Sequence, residues 1–376
     1  MRLVVALILG LLSAGPAVAA TFGTEKGDIA VDVIADRLVR PWAIDFLPDG
    51  RMIITERGGR MRLVTADGKK SGAIKGVPGV DVGGQGGLLD VAVHPDFARN
   101  RLIYWSFSEA GKSGNSTAVA RGRLNADGTA LDGVKVIFSQ QPKVRSNLHF
   151  GSRLVFDGKG HLFVTLGDRS AEKFRGQAQD LGSHVGKIVR LMEDGSVPKD
   201  NPFVGKEGAL PEIWSYGHRN AQAAAINPAT GALWEIEHGP RGGDEINVPE
   251  PARNYGWPIV SYGVNYSGKP VGGGKREMPG MENPIYQWTP VIAPSGMTFY
   301  TGDLFPAWKG NLFVGGLRAR ALVRLELDGA KVTHEERLLR EVGLRIRDVA
   351  QGPDGALYVV TDENDGQILR LSPAEP

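Results

Sequence analysis

A strand, a tight turn of Pro-Asp-Gly type and a second strand recur about six times along this chain, and that repetition constrains the fold more than any other feature. The clearest copy runs through Trp42–Leu47, turns at Pro48-Asp49-Gly50, continues through Arg51–Glu56 and returns at Met61–Val64. The last copy has the same rhythm: Asp348–Ala350, the turn Pro353-Asp354-Gly355, Leu357–Val360 and Gln367–Arg370. Between them lie Leu88–Val93 with Leu102–Phe107 and Thr117–Arg121, and Gly151–Phe156 with Leu162–Leu166 and Lys187–Leu191. Ala223–Ile226 with Leu233–Glu237 forms a fourth unit, and Gly296–Tyr300 with Gly310–Val314 and Ala321–Leu325 a fifth. Short apolar runs punctuated by Gly, Pro, Asp and Asn are hairpin signatures. No stretch sustains a 3.6-residue apolar period, so helices should be few. Six units overfill one flat sheet but suit a ring of blades, whereas a β-solenoid would show shorter and more uniform repeats. The expected fold is all-β, a six-bladed β-propeller.

The N-terminus reads as an export signal: Arg2, the apolar run Leu3–Leu12, and the small-residue pattern Ala17-Val18-Ala19. The run is too short to span a bilayer, which takes roughly 20 residues. Residues 1–20 are therefore expected to be a signal peptide, cleaved near Ala19 or Ala20, ahead of one propeller domain over 21–376. The 52 glycines and 23 prolines punctuate strands and form no low-complexity spacer, which argues against a second domain. Cysteine is absent, which excludes disulfides, thiolate ligands and a cysteine nucleophile. An exported chain without cysteine suits a bacterial periplasm. A formal net charge of +2 creates no global field toward nucleic acid or anionic membranes.

Several chemistries are missing from the motifs. There is no Gly-x-Ser-x-Gly elbow, no His-Glu-x-x-His, no phosphate-binding loop and no dinucleotide fingerprint. Gly83-Gly84-Gln85-Gly86-Gly87 is glycine-rich but leads into a strand, and its spacing is wrong for a dinucleotide. Its informative member is Gln85, an amide held where backbone can approach a ligand closely. The connections between units carry a high density of polar residues: Asn147–Arg153, Tyr216–Asn220, Glu237–Glu245, Asn254–Trp257, Tyr262–Tyr266, Gly316–Arg318 and Arg345–Arg347. Any one of these has an ordinary structural explanation, a solvated arginine or a satisfied histidine. Their joint placement in loops on a rigid scaffold points to a site.

Taken as phrases, these segments closely resemble the soluble pyrroloquinoline-quinone-dependent aldose sugar dehydrogenases of the glucose/sorbosone dehydrogenase family. The carrying phrases are Gly84–Asp90, His149–Arg153, Thr165–Arg169, Tyr216–Asn220, Glu237–Pro240 with Gly243–Asn247, Asn254–Pro258 and Arg345–Asp348, spread over nearly the whole mature chain. The resemblance implies a planar tricarboxylate orthoquinone as cofactor, with Arg219, Arg318, Arg345 and Arg347 meeting carboxylates. Gln85 and Asn220 would bond oxygen or ring nitrogen, and Tyr266 would stack on the ring. It also implies Ca²⁺ held by the backbone carbonyls of Gly239 and Pro240, with a second Ca²⁺ nearby using Glu245 and the Tyr255 carbonyl, and Asp244 as a secondary candidate. His149 would be the catalytic base for oxidation of an aldose at C1, and Asp168 its orienting partner.

The chain departs from the glucose-specific branch in three ways. Arg318 stands where that branch has lysine, Leu148 where it has an acid, and Ala221 and Ala223 interrupt its Arg-Asn-Pro-Gln-Gly phrase. These departures imply broad aldose tolerance, with an electron acceptor the sequence does not identify and a monomeric or homodimeric state. Competing readings are a sorbosone-type dehydrogenase, a non-enzymatic propeller that binds protein partners, and a metal-dependent lactonase on a similar ring.

Overall fold

The computed structural model describes residues 20–374, so the expected signal peptide lies outside the described residues apart from Ala20. The repeat units form six sheets. Blade one is Pro41–Phe46, Met52–Glu56 and Arg60–Val64. Blade two is Leu88–Val93, Leu102–Gly111, Gly114–Leu124 and Leu131–Ser139; blade three is Gly151–Phe156, His161–Leu166, Lys187–Met192 and Ile213–Tyr216. Blade four is Ala221–Ile226, Leu233–Glu237, Asp244–Asn247 and Tyr286–Trp288; blade five is Pro294–Phe299, Leu312–Gly316, Ala321–Asp328 and Lys331–Leu338. In blade six, Ile346–Gln351, Leu357–Thr361 and Gly366–Pro373 are completed by the N-terminal strands Ile29–Leu38 and Ala20–Phe22.

The innermost strands touch in sequence, and that of blade six meets that of blade one, so the ring is closed. Antiparallel pairing of Ile29–Leu38 with Gly366–Pro373 fastens the two ends of the chain. Apolar side chains fill the wedge between each pair of blades. Trp42, Ile53, Leu88 and Trp105 fill the wedge between blades one and two, and Trp234, Trp288, Phe299 and Val314 that between blades four and five. As expected, helices are few: the two α-helices, Phe97–Asn100 and Glu172–Arg175, have four residues each among the described residues.

One irregularity recurs in all six innermost strands: each slips register near its start, between Pro41 and Ala43, Leu88 and Val91, Gly151 and Leu154, Ala221 and Ala223, Pro294 and Met297, and Ile346 and Asp348. A bulge re-aims the residue it contains, so Trp42, Leu89, Ser152, Gln222 and Arg347 reach the same central cavity. The bulged carbonyls are satisfied by hydroxyls from the preceding blade: Thr55 donates to Leu89 at 2.6 Å, Ser106 to Ser152 at 2.7 Å and Thr165 to Ala221 at 2.9 Å. Carboxylates strap neighbouring blades as well. Asp348 accepts from the Ile44 amide at 3.0 Å, Asp45 from Val93 at 2.7 Å and Asp90 from Leu154 at 2.7 Å. Arg153 ties blade three to blades two and six, bonded to Asp90 at 2.7 Å and Asp348 at 3.2 Å, with its guanidinium 4.8 Å from the centre of the Trp42 ring.

The glycine-rich loop owes its course to one residue. Gly87 has φ +143°, and a Cβ there would lie 2.0 Å from the Arg57 carbonyl oxygen. Gly87→Ala should therefore destabilise the protein by about 2–4 kcal/mol, through backbone strain and overpacking together. A chemical-denaturation midpoint equal to that of the parent would show that the loop can move aside.

Candidate active site

His149 sits in the connection that leads into blade three, with φ +49°. Its amide donates to Gln85 Oε1 at 2.7 Å, which ties the glycine-rich loop to the histidine. Opposite, a Cβ on Gly167 would lie only 2.1 Å from the His149 carbonyl oxygen, so glycine is what lets the next loop close against it. That close approach delivers Asp168, whose Oδ1 is 2.6 Å from His149 Nδ1. The same carboxylate accepts from the Ser170 amide at 2.8 Å and from Trp257 Nε1 at 2.7 Å. Three donors on a buried carboxylate favour its anionic form.

The tautomer follows. Nδ1–H donates to Asp168, the one side-chain hydrogen bond His149 makes among the described residues, so Nε2 keeps its lone pair. Burial first, then the Arg219 guanidinium, pushes the His149 pKa below the ordinary imidazole value despite Asp168. Burial works against the charge on Asp168, yet His149 and Arg219 hold its pKa below the usual carboxylate value. The pair is therefore a neutral imidazole oriented by a carboxylate, the state a base requires.

A cavity of about 200 Å³ opens beside this pair, lined by Trp42, Gln85, Ser152, Gln222, Arg345 and Arg347, among others. Arg345 and Arg347 share Asp362 at 2.9 and 3.0 Å, and Arg347 also reaches Gln222 at 3.3 Å. Burial would raise the Asp362 pKa, but the two arginines pull it down to about 2. Buried polar atoms normally have partners, yet Ser152 Oγ, Arg219 Nε, Asn220 Nδ2 and Arg347 Nε have none. Such orphaned groups fit a polyanionic, oxygen-rich ligand.

Beside it lies a space of about 10 Å³, the size of a single water or ion, bordered by Glu237, Gly239, Pro240, Glu245 and Tyr255. Within the wall, His218 Nδ1 is 3.5 Å from Glu235 and 3.4 Å from Glu237, and its ring stacks on Tyr255 at 4.8 Å. Burial opposes the charge on His218, but the two glutamates hold its pKa up at about 9. That imidazolium serves Glu235 and Glu237. It leaves the buried Glu245 carboxylate with no side-chain hydrogen bond among the described residues, and burial, then Glu237 and Glu235, pushes its pKa well up. A buried unpaired carboxylate is costly. Together with the Pro240 and Tyr255 carbonyls, which accept no hydrogen bond among the described residues, it makes a hard-oxygen donor set suited to Ca²⁺.

Not every expected residue converges. Arg219 borders the smaller space and donates to the His238 and Gly239 carbonyls at 2.7 and 2.8 Å, so one expected metal-binding carbonyl already accepts from a guanidinium. Asn220 accepts from the Gly151 amide at 3.2 Å and lines neither space. Asp244 has both oxygens engaged by the Gly239 and Ala293 amides, each at 2.8 Å, and acts as a strap between blades. Arg318 is exposed, and Tyr266 is 70% exposed on the loop after Val264. Neither lines the central cavity, whose aromatic walls are Trp42 and Phe150. Trp257, Asp362 and Arg57 were not singled out as site residues from sequence. A usable signal existed for Trp42, Ser152 and Gln222, since each stands at the start of a repeat, where the bulge falls.

The ring thus sets the His149–Asp168 pair, which itself borders neither space, next to a central cavity lined by Arg57, Arg345 and Arg347. Residues 38–370 match the Glucose / Sorbosone dehydrogenase family, and the chain belongs to that family of oxidoreductases. It is 49% identical over 348 residues to the aldose sugar dehydrogenase YliI of Escherichia coli, covering 92% of this chain and 93% of that one. The apo-form structure of the soluble E. coli aldose sugar dehydrogenase superposes with TM-score 0.89 at 48% identity, over 92% of this chain and 100% of that one. The PQQ-bound aldose sugar dehydrogenase of Streptomyces coelicolor superposes with TM-score 0.75 at 29% identity, over 92% of this chain and 98% of that one.

Proposed function

We propose that this chain is an exported, periplasmic pyrroloquinoline-quinone-dependent aldose sugar dehydrogenase that oxidises the C1 hydroxyl of aldoses to lactones. The observation that carries this reading is the His149–Asp168–Trp257 chain of hydrogen bonds beside a cavity lined by Gln85, Arg345 and Arg347. His149 Nε2 takes the C1 hydroxyl proton, and Asp168 stabilises the imidazolium that forms. Trp257 donates to the outer carboxylate oxygen and keeps Asp168 from rotating away. Arg345, Arg347 and Arg219 hold the cofactor's carboxylates, with Gln85 and Asn220 bonding its polar edge. Arg318 and Tyr266 are assigned to the same cofactor, as a further carboxylate contact and a stacking face. When bound, the quinone would accept the C1 hydride, and Ca²⁺ at Gly239, Pro240, Glu245 and Tyr255 would polarise its reactive carbonyl.

Adding pyrroloquinoline quinone and Ca²⁺ to purified apoprotein should produce dye reduction that depends on an aldose. Activity confined to sorbosone would move the assignment to the sorbosone branch, and hydrolysis of lactones without quinone would replace it. Glu245→Gln should weaken Ca²⁺ binding at least tenfold, read as the calcium-dependent shift in melting temperature. The calcium-free variant should be no less stable than the parent, because the amide removes a buried unpaired carboxylate. A parent-like calcium shift would remove Glu245 from the metal site.

A further inference from the structure

Arg57 follows the second strand of blade one, and its backbone is pinned from both sides. Its amide donates to the Arg40 carbonyl and its own carbonyl accepts from the Leu88 amide, each at 3.0 Å. Gly87 packs directly against it, as described above. The side chain is half-buried, yet among the described residues its guanidinium makes no hydrogen bond and no ion pair. It borders the central cavity and also a second, polar space of about 330 Å³ that opens outward between blades six and one. Arg345 and Asp362 line both spaces, so the two adjoin, and Arg40, Glu363 and Asn364 complete the outer one.

The charges along this path do not balance. Asp362 is already shared by Arg345 and Arg347. Arg40, at the rim, bonds only the neutral amide of Asn364, at 2.6 Å. Glu363 is the only other carboxylate lining these two spaces, so four guanidiniums face two acids. Burial, then the like charge of Arg40, lowers the Arg57 pKa, as expected of a cation placed without a counter-charge. A half-buried guanidinium with all its donors unused, among other cations, has the chemistry of an anion receptor.

We propose that Arg57, assisted by Arg40, forms an anion-binding subsite at the outer end of the central cavity that takes a carboxylate. The carboxylate comes either from the quinone itself, in which case the inference rests on the function proposed above, or from a separate small anion bound next to it.

Two titrations on Arg57→Gln, Arg57→Lys and Arg40→Gln, each checked for a parent-like melting profile, decide the matter. The first measures equilibrium binding of pyrroloquinoline quinone to apoprotein by quenching of tryptophan fluorescence. The second measures malonate binding at low salt by calorimetry, to apoprotein and to quinone-loaded protein. A loss of quinone affinity of about 10- to 100-fold in Arg57→Gln, smaller in Arg57→Lys and Arg40→Gln, assigns the carboxylate to the quinone. Unchanged quinone affinity with loss of malonate binding to the loaded protein assigns it to a second anion. Parent-like binding of both ligands by Arg57→Gln and Arg40→Gln overturns the subsite. If the parent protein binds no quinone, the proposed function fails, while the malonate arm on apoprotein still decides the subsite.

Discussion

Replacing His149 by alanine should lower turnover by about 10²- to 10⁴-fold, the range general-base catalysis contributes, while leaving quinone affinity within about threefold of the parent. The reason is positional. The side chain touches Asp168, and only its backbone amide touches Gln85, so the wall of the cavity survives the substitution. The pH profile of the parent supplies an independent check. Burial and Arg219 hold the His149 pKa below the ordinary imidazole value, and a base must be neutral to accept a proton. Turnover should therefore stay flat as pH falls past about 6.5, the unperturbed imidazole value, and drop only through the depressed value below it. A profile that falls above pH 7, or an alanine variant with near-parental turnover, would remove His149 from the role of base.

Arg347→Ala should weaken quinone binding by about 10- to 150-fold, the loss of one charged hydrogen-bonding group, with the sugar dependence of any remaining turnover little changed. Asp362 would keep Arg345 as a partner at 2.9 Å, so the variant does not leave that acid bare. Arg347 is nevertheless buried, with its guanidinium 5.8 Å from the centre of the Trp42 ring. Its loss should lower the melting temperature as well, which is why the reading depends on equilibrium affinity in apoprotein shown to be folded. Arg347→Lys separates charge from shape, because a lysine retains the charge but loses the planar fork. Affinity unchanged in the alanine variant would exclude Arg347 from the cofactor site.

The strands the sequence revealed are those with a buried face. Met52–Glu56 and Leu357–Thr361 are buried at every position, and such runs, bounded by Asp-Gly turns, need no partner to be recognised. The outer strands were not visible in the same way. Leu131–Ser139 and Lys331–Leu338 are half-exposed and polar, with no clean alternation. The strand Ile29–Leu38 reads as an isolated run until its pairing with Gly366–Pro373 makes it part of the last blade. For the site, the phrase around His149 and the arginines Arg345 and Arg347 stood out because polar residues in connections are unusual in number. Trp257 and Asp362 did not, because nothing local to either residue says that one will meet Asp168 and the other two arginines.

Hairpin rhythm, turn chemistry and loop polarity were readable along the chain because each is set by a residue and its near neighbours. The meeting of His149 with Asp168 and Trp257, the isolation of Glu245 and the unpaired charge of Arg57 exist only once the ring has closed. Closure brings the starts of six bulged strands to one axis, and the charges that gather there come from positions far apart in the chain.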